Sequence, residues 1–162
     1  MNKPHAYILI GLPACGKSTW TEQRLRGGQY FVVSSDAYIE AMAQAEQTTY
    51  SAVFDTYVGQ ADHYAQSMFE VAIEEKSNII IDRTNCGRKT RRRWLDPLRK
   101  NGYHVAAVVF RQPLNIEDLR PRLDARIGKD IPWGVIKQMA SGFVWPTYEE
   151  GFDNVMIIDS FA

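Results

Sequence analysis

The stretch Gly11-Leu12-Pro13-Ala14-Cys15-Gly16-Lys17-Ser18-Thr19 satisfies the pattern G-x-x-x-x-G-K-[ST] at every fixed position. Its flanks decide how it is read. Ala6-Tyr7-Ile8-Leu9-Ile10 is a short apolar run of the kind that forms a buried strand, and the residues from Ser18 onward read as a helix. A strand, a glycine-bearing turn and a helix N-terminus together present backbone N–H groups to phosphate oxygens. In this frame Gly11, Pro13, Ala14, Cys15, Gly16 and Thr19 wall the cradle, Lys17 reaches the β- and γ-phosphates, and the Ser18 hydroxyl ligates Mg²⁺. The stretch therefore predicts a nucleoside triphosphate site, with ATP and Mg²⁺ as its occupants.

The chain around it has 162 residues, 45% of them hydrophobic. That is one ordinary domain, expected over residues 1–162 and able to bury about 70% of the surface its unfolded chain exposes. The longest apolar run, Val105 to Phe110, is too short to cross a bilayer, and no signal segment is evident at the N-terminus. Two cysteines make neither a disulfide framework nor a four-ligand metal site. These features predict a cytoplasmic protein with no membrane partner. The formal net charge is zero, yet residues 83–129 carry thirteen Lys/Arg against four Asp/Glu. A basic middle of this size points to a polyanionic partner, nucleic acid above all.

Apolar β-rich runs alternate with amphipathic stretches, which predicts an α/β domain around a mainly parallel sheet. The strands are expected at Ala6–Ile10, Tyr30–Val33, Asn78–Asp82, His104–Phe110 and Asn154–Ile158. A long helix is expected over about Thr56–Lys76, with Val58, Ala61, Ala65, Met68, Phe69, Ala72 and Ile73 on its buried face. A second spans about Arg88–Lys100, broken or kinked at Asp96-Pro97. Its Arg88, Arg91, Arg92 and Arg99 are expected on one solvent-facing side. The segment Asn115–Lys129 reads as a basic, hinged piece in which Arg122 and Arg126 point the same way if it is helical. It precedes a further helix over Trp133–Phe143.

Two acids stand at strand ends, where an open α/β sheet binds its ligands. Asp36 follows Tyr30–Val33, and from there it is placed to take the proton of an attacking hydroxyl; Ser35 or Asp36 also reads as the cap of the helix that follows. Asp82 closes the run Asn78–Ile81 and reads as the acid that supports a Mg²⁺ shell. Motor-type ATPases usually place a water-activating Glu after that acid; here the residue is Arg83. That argues for phosphoryl transfer to a bound acceptor.

The phosphate loop with Thr19-Trp20, Ser34-Ser35-Asp36, Asp82-Arg83-Thr84-Asn85, Val108-Val109-Phe110, Arg122…Arg126 and Glu150-Gly151-Phe152 also carry a family resemblance. In that order, nearly end to end, the chain resembles the kinase domain of polynucleotide 5′-hydroxyl kinases. The resemblance implies an adenylate-kinase-like P-loop kinase fold, five strands with helices on both faces and an Arg-bearing lid. It implies Asp36 as general base, Lys17 and Ser18 as phosphate and metal ligands, and Arg122 or Arg126 as the lid arginine on the phosphates. It puts Asp82 and Asn85 near the acceptor; Arg83, Arg88, Arg91 and Arg92 are expected to complete the acceptor surface. Ile39 stands where some phage members carry an acceptor-binding arginine, and no Asp-x-Asp phosphatase motif occurs. The expected activity is ATP-dependent transfer to a hydroxyl of DNA or RNA, the 5′ end first. The alternatives are a hydroxymethyl group on a modified pyrimidine within DNA, a nucleoside or sugar acceptor, and a nucleotide-binding regulatory module without catalysis.

Overall fold

A computed structural model describes residues 2–162. Five strands, β1 (His5–Ile10), β2 (Phe31–Val33), β3 (Ile79–Ile81), β4 (His104–Phe110) and β5 (Asn154–Ile158), form one sheet in the order β2-β3-β1-β4-β5. Every neighbouring pair is parallel, so the sheet is all-parallel rather than mainly so. Ile8 pairs with Ile81 on one side and Ala107 on the other, which buries β1 at the centre. The apolar runs follow from this: a strand covered on both faces has no polar side to alternate with.

The helices are α1 (Lys17–Gly27), α2 (Ser35–Ala45), α3 (Tyr50–Glu74), α4 (Arg88–Lys100), α5 (Arg120–Asp124) and α6 (Trp133–Ser141). The period-2 alternation of the strands sorts them into layers. Ala6, Ile8, Ile10, Ile79, Ile81, Val105, Ala107 and Val109 face Ala65, Phe69 and Ala72 of α3 and Trp94, Leu95 and Leu98 of α4. Leu9, Ile80, Val108 and Phe110 face the other way, toward Trp20 of α1 and Ile136 of α6. A third, smaller core joins Ile39 and Ala43 of α2 to Val53 and Ala61 of α3.

Four expectations about the helices need correction. The long helix begins at Tyr50, six residues before Thr56, because Thr49 accepts a hydrogen bond from the Ala52 N–H and supplies its cap. Val58 is exposed rather than core. α4 runs unbroken through Pro97, which falls in its last turn, where only one intrahelical bond is lost and the Leu98 anchor holds the helix down. Beyond β4 the chain makes a single 3₁₀ turn, Ile116–Leu119, capped by the Asn115 side chain, before the short α5. Since α5 ends at Asp124, Arg126 lies outside it and does not share a helical face with Arg122.

Candidate active site

At the carboxyl edge of the central strand the chain turns sharply into α1. Gly11 is required there by close approach: a Cβ would lie 2.9 Å from the Phe110 Cβ. Its N–H donates to the Thr84 carbonyl at 2.9 Å, fixing the loop to the segment after β3. Gly16, at φ 105°, occupies the left-handed region just before α1. Four of the loop's carbonyls are held by side chains. Lys17 Nζ donates to Gly11 O at 2.7 Å and Leu12 O at 2.9 Å. Arg122 donates to Ala14 O at 3.2 Å, and Ser160 Oγ to Cys15 O at 3.0 Å. With those four oxygens occupied, the loop's remaining N–H groups, apart from Gly11 and Cys15, which bond main-chain carbonyls, are available to a ligand. α1 adds its unpaired first-turn amides, with no side-chain cap and no acid in that turn to compete for them. This is a site for an anion of several oxygens. Desolvation lowers the pKa of Lys17, and the facing charge of Asp82 opposes that shift.

The two acids are where the sequence puts them, at the ends of β2 and β3, but their surroundings differ. The cap of α2 is Ser34, whose Oγ accepts from the Ala37 N–H at 3.4 Å; neither Ser35 nor Asp36 has that role. The Asp36 side chain is thereby left free to make other contacts. The Tyr50 hydroxyl donates to its Oδ1 at 2.7 Å and Lys129 Nζ to its Oδ2 at 2.9 Å. Burial pushes the Asp36 carboxyl up, and the Lys129 ammonium and the Tyr50 hydrogen bond outweigh it, so it is held below the usual carboxylate range. Asp82 is shifted the opposite way by desolvation, only partly offset by Lys17. Its carboxylate accepts no side-chain hydrogen bond among the described residues, which leaves it available to a cation. Ser18 Oγ and Asp82 are hard oxygen donors of the type Mg²⁺ takes alongside water and phosphate oxygens, so the donor set fits that ion. Among the described residues no cluster of three or more His, Cys, Asp or Glu forms a protein-only metal cage.

The expected acceptor arginines separate into two groups. Arg91 is fully buried. Its Nε and Nη2 donate to the two oxygens of Glu150 at 2.9 and 3.1 Å, and Nη1 donates to the carbonyls of Asn85, Cys86 and Val144 at 3.0 Å each. Arg91 is a structural anchor, and the expectation that it lies on the acceptor surface is corrected: the helix face it shares with Trp94 and Leu98 is the inward one. Asn85 is likewise fully buried, its Nδ2 donating to Leu9 O at 2.8 Å, so it ties the loop after β3 to β1 and does not reach an acceptor. Arg83 and Arg93 both pair with Asp62 of α3 at 2.8 Å and lie over the Trp94 ring. These hydrogen bonds, Arg93 first, hold the Asp62 carboxyl down at about 2. Arg88 and Arg92 remain exposed and line a small cleft with Leu95, Glu149 and Glu150. Arg122 is drawn to the C-terminal segment, with Nη2 on Ser160 O at 2.7 Å and its guanidinium 3.8 Å above the Phe161 ring. Arg126 is close enough for its charge to lower Asp36.

Tyr50, Asp62, Lys129 and Ser160 escaped the sequence reading. None lies in a motif, and each reaches its partner only through the packing of distant segments. Thr49 at cap spacing before a helical pattern was the one local signal, since it predicts where α3 begins and so brings Tyr50 to that helix's first turn.

Strand order, the phosphate loop and the acids at neighbouring strand ends define a P-loop nucleotide-binding domain of the kinase type. A family model described as an AAA domain (AAA_33) matches residues 7–146, and the chain belongs to that family. It is 26% identical over 157 residues to human heterogeneous nuclear ribonucleoprotein U-like protein 2, covering 91% of this chain and 20% of that protein. It is 23% identical over 151 residues to the L-seryl-tRNA(Sec) kinase of Methanococcus maripaludis, covering 90% of this chain and 55% of that one. The chain thus spans between a fifth and just over half of the curated relatives it matches. Among solved structures, a chain of the Pnkp1/Rnl/Hen1 RNA repair complex superposes with a TM-score of 0.66 at 24% identity, over 88% of this chain and 44% of that one. That likeness is one of fold and agrees with the α/β P-loop kinase architecture. No helix among the described residues is long and apolar enough to cross a membrane.

Proposed function

We propose that this protein is an ATP-dependent kinase that transfers the γ-phosphoryl group to a hydroxyl of nucleic acid, the 5′-OH end of DNA or RNA. The observation that carries this reading is Asp36: an ionised carboxylate, freed by Ser34 from capping α2, and close enough to Lys17 and Asp82 for their charges to act on one another. In the transfer, the acceptor oxygen forms a bond to the γ-phosphorus while the bond to the β–γ bridging oxygen breaks. The hydroxyl proton passes to Asp36, and ADP leaves. Lys17 and the first-turn amides of α1 stabilise charge on the phosphoryl oxygens. Ser18 and Asp82 would hold Mg²⁺, whose charge would further neutralise the phosphates. Arg122 would exchange its contacts with Ser160 for the phosphates.

Nucleic acid as the acceptor is supported by the basic surplus of residues 83–129 and by the resemblance to polynucleotide kinases. The names of two relatives, a tRNA kinase and an RNA repair complex, point the same way. Arg88 and Arg92, exposed at the start of α4 and therefore at the same edge of the sheet, are the candidates to bind its phosphates. The test is transfer of label from γ-labelled ATP to 5′-hydroxyl DNA and RNA oligonucleotides. Asp36→Asn is expected to lower the rate by about 10²–10⁴-fold while ATP binding persists. Absence of transfer at any oligonucleotide concentration overturns the reading, and label on internal bases replaces the 5′ end with a modified base.

A further inference from the structure

Asp36 is gripped from two elements that are remote from it in the chain. Tyr50 stands in the first turn of α3, and its hydroxyl donates to Oδ1 at 2.7 Å. Lys129 comes from the segment after α5, 93 residues away, and its ammonium donates to Oδ2 at 2.9 Å. The Lys129 side chain is only 11% exposed, with Nζ 3.6 Å from Glu40 and 4.4 Å above the Tyr50 ring. Burying so much of a long cation costs solvation and rotamer entropy, which a casual surface pair does not repay.

The segment carrying Lys129 is itself fastened to the start of α3. The Ser51 N–H donates to Gly128 O at 3.1 Å, and the Asp130 N–H donates to Ser51 Oγ at 2.7 Å. Helix start, lid segment and base are therefore one hydrogen-bonded unit. A carboxylate has about four acceptor sites, so after Tyr50 and Lys129 are bound each oxygen keeps one for a substrate hydroxyl. Ile39 supplies no cation here: its side chain is a hydrocarbon, packed in the α2–α3 core.

We propose that Tyr50 and Lys129 are positioning residues for phosphoryl transfer: they fix the orientation of Asp36, and the base is competent only while the 128–130 segment is docked on Ser51. This rests on the reading of Asp36 as the acceptor-side base. The other charged groups around it are Glu40 on its own helix, Arg126 in the lid segment, Asp82 after β3 and Lys17 in α1. Of all of these, Lys129 and Tyr50 alone hydrogen-bond the carboxylate.

The experiment compares wild type with Tyr50→Phe, Lys129→Met and Lys129→Arg in two assays. The first is the pH profile of kcat/KM for a 5′-hydroxyl oligonucleotide. A misplaced base costs about 10²-fold in rate, so Lys129→Met is expected to fall by that order with KM for ATP unchanged. Because the cation and the phenol favour the ionised carboxylate, removing either raises the Asp36 pKa. The acid limb of the profile then moves to higher pH in both variants, and Lys129→Arg restores it. The second assay follows the Asp36 carboxyl by NMR titration, assigned by its loss in Asp36→Asn, and needs no turnover. A higher Asp36 pKa in Lys129→Met and Tyr50→Phe supports the clamp. An unmoved Asp36 titration overturns it, as do wild-type kcat and acid limb in Lys129→Met. A wild-type protein that titrates as expected yet transfers no phosphate leaves the clamp standing and removes the kinase reading instead.

Discussion

Replacing Arg91 with Met tests the most consequential difference between pattern and structure. The guanidinium is fully buried and makes five hydrogen bonds, two to the Glu150 carboxylate and three to main-chain carbonyls. Methionine fills much of the volume and supplies no donor. Glu150, whose side chain is 11% exposed, then loses its counter-charge, and the Asn85, Cys86 and Val144 carbonyls lose a shared partner. Removing one member of a buried pair costs about 3–5 kcal/mol, because the other charge stays buried. At roughly 2–4 °C per kcal/mol for a chain of this size, the melting temperature drops by about 6–20 °C. The assay is thermal and urea unfolding at neutral pH, with ATP binding measured on the folded fraction.

There is also a pH signature. Burial raises the Glu150 carboxyl, but Arg91 and the Thr147 N–H outweigh that and leave it below its ordinary value. A depressed carboxyl contributes stability above its unfolded pKa, about 4.3, and loses it as pH falls through the folded value. The wild type therefore sheds this increment in acid, whereas Arg91→Met has already lost it, and the two unfolding curves converge as pH falls below about 4. An Arg91→Met protein that melts within about 2 °C of wild type and only binds oligonucleotide more weakly would refute the reasoning. It would return Arg91 to the acceptor surface.

Gly11→Ala should cost about 1–3 kcal/mol by overpacking against Phe110 and weaken ATP binding, since the loop must shift to admit the methyl group; equal unfolding midpoints and ATP affinity would contradict this. Neutralising Arg88 and Arg92 together to Gln should lower the slope of log affinity against log salt for a single-stranded oligonucleotide by about 1.4. An unchanged slope moves the acceptor elsewhere on the protein.

The phosphate loop, all five strands to within a residue or two, and the presence of acids at two strand ends are legible in the sequence. They depend on local properties: the spacing of apolar side chains, the left-handed backbone that glycine permits at 16, and where a strand must stop. Chain order alone also carries Asp36 and Asp82 to the same edge of the sheet, because parallel strands all end there. Tertiary structure decided the partners. A run of arginines in α4 is read as one basic face, yet burial of Trp94 and Leu98 draws Arg91 inward to Glu150, 59 residues away. Packing of α3 on α4 draws Arg83 and Arg93 to Asp62. Asp36 meets Lys129 because the segment after α5 docks on Ser51. Local sequence sets which elements form and where they end; which charge meets which depends on desolvation and distance, and those exist only once the strands have taken the order β2-β3-β1-β4-β5.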